Sequence, residues 1–424
     1  MVAVLDWLRN TSSVLKVIDL NLITSTIRDY SRRCISTDPA GCEDARGGFF
    51  LANKSSAWQD LGNYELILEE NLGINDAGDF GFDNITLGVP GSGAPNIGHQ
   101  IVVGIVAKDY YLATWGLRPA PTNFTNLDTP VSSLLQSLKA TNKIPSLSWG
   151  YTAGSYQVSQ VNKFGHGSLT ISGYDTARFE ANNASFVMAQ DTSRDLVVGL
   201  ISVETADHSN SLLPEPILVF LDSGVSHIWL PEEACQRFGA AFNLTYNPVL
   251  DLYLVNDTVH ETLLAQNATI AFTISNDLAI STTSDPVTIS LPYSSFDLQL
   301  TDDYPGNNKT TNYFPIRRAA NSSQYTLGRT FFQNAYIIAD YERSTFSVHN
   351  AYFPTYGTQG LQAILPIEAA GIAGLSTAAI AGIVAGAVVL VVAFLTVGIV
   401  MRRRRRSRVW KPPIQQDMKV ESEL

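Results

Sequence analysis

Val219-Phe220-Leu221-Asp222-Ser223-Gly224-Val225-Ser226-His227-Ile228-Trp229-Leu230-Pro231 is the stretch whose reading decides the fold. Apolar residues run straight into Asp-Ser-Gly, and a second apolar run ends at a proline. The pattern predicts a buried strand that delivers a carboxylate to a tight turn. Gly224 gives that turn the backbone freedom it needs. Around it, aromatic and β-branched residues recur in short runs between Gly, Pro, Asn and Asp, which reads as an all-β chain. At 424 residues the sequence has room for two lobes and an anchor.

Two more stretches fix the context. Gly167-Ser168-Leu169-Thr170-Ile171-Ser172-Gly173-Tyr174-Asp175 lies upstream. Tyr325-Thr326-Leu327-Gly328-Arg329-Thr330-Phe331-Phe332, then Ala335-Tyr336-Ile337-Ile338-Ala339-Asp340-Tyr341, lies downstream. With the Asp turn, these resemble the inter-lobe strand, the second-lobe active-site turn and the closing strands of pepsin-like aspartic peptidases. The likeness spans residues 45–350 and is strongest to fungal membrane-anchored members. It implies a bilobal acid-protease fold, with a first lobe at 34–190 and a second at 191–350, and a cleft between them for a peptide or polysaccharide.

The resemblance also assigns roles. Asp222 would be one of two catalytic carboxylates if the chain is active. Ser223 would crosslink the two active-site turns and Gly224 would shape its own. Val225 stands where the family has Thr or Ser, and Ser226 beside it is the substitute hydroxyl. Cys34 and Cys42 match the small disulfide loop of the first lobe; a loop that short would add about 2–3 kcal/mol by chain entropy. Cys235 is left over and reads as a buried free thiol in preference to an intermolecular bridge.

Aspartic-peptidase chemistry takes two carboxylates sharing one proton, one acting as acid and the other as base. Residues 1–33 contain no Asp-Thr/Ser-Gly: Asp19 is followed by Leu20-Asn21, and Asp29 by Tyr30-Ser31. Asp6, Arg9, Lys16 and Asp19 also interrupt every apolar run there, so no signal peptide is legible. Residues 1–33 therefore read as an atypical amino terminus in which a signal peptide and the first active-site strand are missing. The flap hairpin should carry a Tyr, but the corresponding residues are Glu69-Glu70-Asn71-Leu72-Gly73-Ile74. These departures predict a catalytically degenerate homologue. The alternatives are an acid endopeptidase whose first Asp lies in lost sequence, and a structural surface glycoprotein.

Other chemistries fit worse. His99, His166, His208, His227, His260 and His349 are scattered without H-E-x-x-H spacing, and no G-x-S-x-G elbow occurs. No cofactor or metal is expected. Formal net charge is -11, and eight Lys and Arg against three acids follow Val400, so the acidic excess lies upstream. An acidic body with a basic tail argues against nucleic-acid binding.

Residues 377–401 are uncharged. As a helix they would span about 37 Å, enough for the ~30 Å hydrocarbon core. Five arginines at 402–406 place the tail, residues 402–424, in the cytosol. Residues 351–376 read as a stalk. Gly382 and Gly386 form a GxxxG that would let two such helices pair. Sequons at Asn10, Asn53, Asn84, Asn123, Asn183, Asn243, Asn256, Asn267, Asn308 and Asn321 all precede the apolar stretch. They predict a glycosylated ectodomain, extracellular or luminal, at the cell surface or in an acidic vacuole.

Locally, the spacing of Val131, Leu134, Leu135 and Leu138 predicts a helix over 130–140. A second helix is expected over 231–242, with Pro231 at its first position. Residues 269–274 and 287–291 alternate as strands do.

Overall fold

The computed structural model describes residues 50–66, 69–73, 76–88, 93–105, 114–122, 129–162, 165–205, 211–278, 286–300, 309–355 and 359–367. Upstream it describes three short strands, the first at Ala3–Val4. The strands that position the site are, in chain order, β1 (Lys16–Ile18), β2 (Ile23–Thr24), β3 (Asn96–Ile105), β4 (Thr114–Gly116), β5 (Ser148–Gly154), β6 (Val197–Thr205), β7 (Ile217–Leu221), β8 (Ile228–Pro231), β9 (Ile316–Ala319), β10 (Thr326–Leu327) and β11 (Ala335–Asp340).

Three large sheets carry the architecture. A six-stranded sheet of the first lobe holds β1 to β4 with Gln59–Leu66 and Asp76–Thr86. A seven-stranded sheet of the second lobe holds β6 to β10 with Thr269–Ser275 and Val287–Pro292. Between them, β5 and β11 pair antiparallel in a third sheet, with Tyr151 opposite Ile337.

Alternation drives the second lobe. Val287, Ile289 and Leu291 face inward while Thr288 and Ser290 stay exposed. Ile270, Phe272 and Ile274 do the same on the neighbouring strand. Each such side chain contributes about 1.5–3 kcal/mol on burial. Val198, Leu200, Ile228, Leu230, Phe272, Phe331 and Ile337 are fully buried in one continuous core. A smaller core of Leu66, Phe80, Ile101, Val103 and Ile105 lies in the first lobe.

The helix expected over 130–140 runs Leu134–Ala140, opened by a capping box of Ser133 and Gln136, with Leu134, Leu135 and Leu138 buried. The second runs Glu232–Ala241. Pro231 precedes it in extended conformation, because it is still paired with Ala319 as the last residue of β8. Part of the segment read as a stalk is instead docked. Leu361–Ala363 pairs antiparallel with Gly173–Asp175, and the compact unit runs to Pro366. Asp175 holds it, its Oδ1 accepting from the Gly360 amide at 2.7 Å. Among the described residues no helix is long and apolar enough to cross a membrane. Residues 377–401, the basic tail, Gly382, Gly386, Cys34, Cys42, Asn10, Asn123 and Asn308 lie outside the described residues.

The two lobes repeat one topology. In the second, β7 runs parallel to β10, β8 crosses β10 antiparallel, and β8 runs parallel to β9. In the first, β1 runs parallel to β4, β2 crosses β4 antiparallel, and β2 runs parallel to β3. Ile23 faces Trp115 as Ile228 faces Leu327. By that register Trp115-Gly116 takes the place of Leu327-Gly328. Residues 1–33, read as lacking the first active-site strand, thus supply β1 in its topological place. Ile18 stands opposite Gly116, the register position that Asp222 holds beside Gly328.

Candidate active site

The Asp222 turn is built by its flanks. Phe220 and Leu221 pair with Thr326 and Leu327, and the Asp222 amide continues the ladder by donating to the Leu327 carbonyl at 3.2 Å. The chain then passes under the turn. The Arg329 amide donates to the Val225 carbonyl at 2.6 Å, and the Thr330 amide to the Ser226 carbonyl at 3.2 Å. The Thr330 hydroxyl adds a bond to the same oxygen at 2.9 Å. This clamp explains why the closing signature and the Asp turn occur together in the sequence.

Asp222 is 4% exposed, and its Oδ1 accepts from the Gly224 amide at 2.8 Å. Ser223 is equally buried, and its hydroxyl hydrogen-bonds Tyr151 of β5. The resemblance had assigned that hydroxyl to the first-lobe turn. Burial pushes the Tyr151 phenol up to about 12, with Ser223 and Arg329 pulling down and Asp222 pushing up. Val225 is buried. Ser226 turns away from the substitute role: its Oγ accepts from Arg329 Nη2 at 2.8 Å. Arg329 Nη1 is shut off from solvent, and burial lowers the affinity of this guanidinium for its proton.

Beneath the turn is a cavity of ≈ 20 Å³, room for about one water. Asp222, Ser223, Tyr151, Trp149, Arg118 and Tyr341 are among its walls. Arg118 follows β4 and so comes from the first-lobe side. Sequence reasoning missed Tyr151, Arg118 and Arg329. The available signal was Arg329, a charge set inside an otherwise apolar signature directly after Gly328.

The hairpin expected to carry the flap has its turn at Glu70–Leu72. Asn71 reaches the second lobe there: its Nδ2 donates to the Ser323 carbonyl at 2.8 Å, and Gln324 Nε2 donates back to the Asn71 carbonyl at 2.6 Å. Cys235 is a buried free thiol, with burial pushing it up to about 12. The sequon asparagines among the described residues, Asn53, Asn84, Asn183, Asn243, Asn256, Asn267 and Asn321, are all exposed.

The sequence model of the family described as eukaryotic aspartyl protease matches residues 152–351. The fold is similar to the crystal structure of an aspartic proteinase from Irpex lacteus, with a TM-score of 0.52 and 14% sequence identity, over 71% of this chain and 84% of that one. A search of curated protein sequences found no match. Residues 152–351 thus carry a eukaryotic aspartyl protease domain, that of the pepsin-like aspartic peptidases. That segment contains the Asp222 turn, the clamp beneath it and the closing strands.

Proposed function

We propose that this chain is a catalytically degenerate pepsin-like homologue whose cleft binds a peptide or polysaccharide without hydrolysing it. The carrying observation is that the Arg329 guanidinium takes the Ser226 hydroxyl, so Ser226 does not stand in for the Thr or Ser whose place Val225 fills. Arg118, from the first-lobe side, lines the same cavity as Asp222. The dyad mechanism needs a second carboxylate to share one proton with Asp222. The register of the first lobe supports the same reading, since Ile18 falls level with Asp222.

An acid endopeptidase is the second reading. It is favoured by the intact contact between the Gly224 amide and Asp222 Oδ1. Its other carboxylate would then come from the amino-terminal segment. Asp19 is the sole acid in the four residues joining β1 to β2.

The full chain assayed on a peptide library from pH 3 to 6 separates the readings. We expect no cleavage, together with saturable binding to a peptide or glycan array. Cleavage that is lost in both Asp222→Asn and Asp19→Asn would establish the endopeptidase. Silence in both assays would leave a structural surface glycoprotein.

The same proposal places residues 377–401 across a membrane, with GxxxG pairing of two helices through Gly382 and Gly386, the tail in the cytosol and the lobes outside or in a lumen. Support comes from the five arginines at 402–406 and from the exposure of the described sequon asparagines. Protease protection of the tail in sealed vesicles tests the orientation.

A further inference from the structure

The tip of a first-lobe hairpin is tied to the second lobe in both directions. Gln59–Leu66 and Asp76–Thr86 pair antiparallel, ending with Leu66 opposite Asp76. Between them the chain makes a single helical turn at Glu70–Leu72. Glu69 and Gly73 bracket that turn at φ 54° and 76°, both in the left-handed region, which a Glu rarely adopts. The Leu72 amide donates to the Glu69 carbonyl and the Gly73 amide to the Glu70 carbonyl, each at 2.9 Å. The tip is thus a small unit with its own internal bonds, and Leu72 in it is buried.

Asn71, in the middle of this turn, offers a donor and an acceptor to the other lobe. Its Nδ2 donates to the Ser323 carbonyl at 2.8 Å, and its own carbonyl accepts from Gln324 Nε2 at 2.6 Å. The receiving loop is itself fixed. Asn321 Oδ1 accepts from the Ser323 amide at 2.9 Å and from the Ser323 hydroxyl at 2.6 Å. Gln324 Oε1 accepts from the Ala320 amide at 2.6 Å. Arg194, near the start of the second lobe, donates to the same Ser323 carbonyl, and its guanidinium lies 5.0 Å from the Phe220 ring centroid. One residue past Gln324, the Tyr325 carbonyl accepts from the Phe220 amide at 3.0 Å. The tip therefore docks on the loop that leads into the strand flanking the Asp222 turn.

We propose that this two-way pairing is an autoinhibitory latch: in the free chain it holds the hairpin shut on the second lobe, and a ligand passes the tip into the space between the lobes only after Asn71 lets go. Partly exposed hydrogen bonds of this kind are weak enough in net terms for a ligand to displace them. The latch belongs to the free chain, so it stands or falls separately from what the cleft binds.

Glu69 and Glu70 lie in the tip, so a glutamyl endopeptidase reads the latch directly. The full chain without ligand is digested under limiting conditions, and the cuts after Glu69 and Glu70 are timed by mass spectrometry. Gln324→Met keeps the side chain's length, removes its bond to Asn71 and leaves the hairpin sequence untouched. Those cuts should run about fivefold faster in Gln324→Met, for the loss of one net hydrogen bond, because cleavage follows the open population. Cuts at glutamates elsewhere should keep their wild-type rates. Asn71→Ala, corrected for cleavage of the urea-unfolded chain, should show a similar gain. The double variant should gain less than the product of the two, since both bonds belong to one contact. Unchanged cutting after Glu69 and Glu70 in either variant, equal acceleration at every glutamate, or gains that multiply would overturn the latch.

Discussion

Gly328 lies so close under the Asp222 turn that a Cβ there would stand 2.1 Å from the carbonyl oxygen of His227. The Val225 carbonyl would be 2.6 Å away. Both oxygens belong to backbone, so neither can swing aside. Gly328→Ala should therefore destabilise by about 2–3 kcal/mol, at the upper end for overpacking, read as a lower urea midpoint at unchanged slope. A loss below about 0.5 kcal/mol, the ordinary range for surface changes, would mean that the clamp is not as drawn.

The Tyr151 and Ser223 hydroxyls form a polar contact between the inter-lobe sheet and the Asp222 turn. Removing one side of a buried hydrogen bond costs about 1–3 kcal/mol, and removing both costs less than the sum. Tyr151→Phe and Ser223→Ala should each lower stability by about 1–2 kcal/mol. The double variant should fall short of additivity by at least 0.5 kcal/mol or so. Strict additivity in the denaturation cycle would place the two hydroxyls apart.

Asp195 and His349 pull stability in opposite directions over one pH range. Asp195 is raised from 3.8 to about 6 by burial. Its favourable contribution is complete below pH 4 and is lost as pH climbs through 6. His349 is lowered from 6.5 to about 4, also by burial. Its contribution is complete above pH 6.5 and is lost as pH drops through 4. Each is worth up to about 3 kcal/mol at 1.36 kcal/mol per unit. The wild-type Tm should thus be nearly flat from pH 4 to 6.5. Asp195→Asn should make Tm rise with pH across that window, and His349→Gln should make it fall. Parallel slopes in the two variants would contradict the assignment.

Glycans on the exposed sequons should be visible chemically. Material from a eukaryotic secretory host is expected to drop in apparent mass on treatment with an N-glycosidase. Asn84→Gln, Asn243→Gln and Asn267→Gln should each remove one step. Unchanged mobility before and after treatment would place the lobes on the cytosolic side, against the proposed orientation.

The second lobe was open to reading from the chain alone because its signals are local. A run of apolar residues into Asp222-Ser223-Gly224 specifies a strand and a turn, and the alternation at 269–274 and 287–291 specifies which face is buried. Leu134, Leu135 and Leu138 did the same for a helix. What the sequence could not place were partners far apart along the chain. Tyr151 meets Ser223, Arg329 meets Ser226, and Arg118 meets the segment 191–195 only after two sheets have closed on a third. Nor could residues 1–33 show their role from composition, since β1 is recognised by its pairing with β4 and not by its own residues. Backbone periodicity is written in neighbours, so the sequence determined the all-β class and the Asp222 turn. The charge around that carboxylate depends on which distant side chains are buried beside it, and only the tertiary structure decided that.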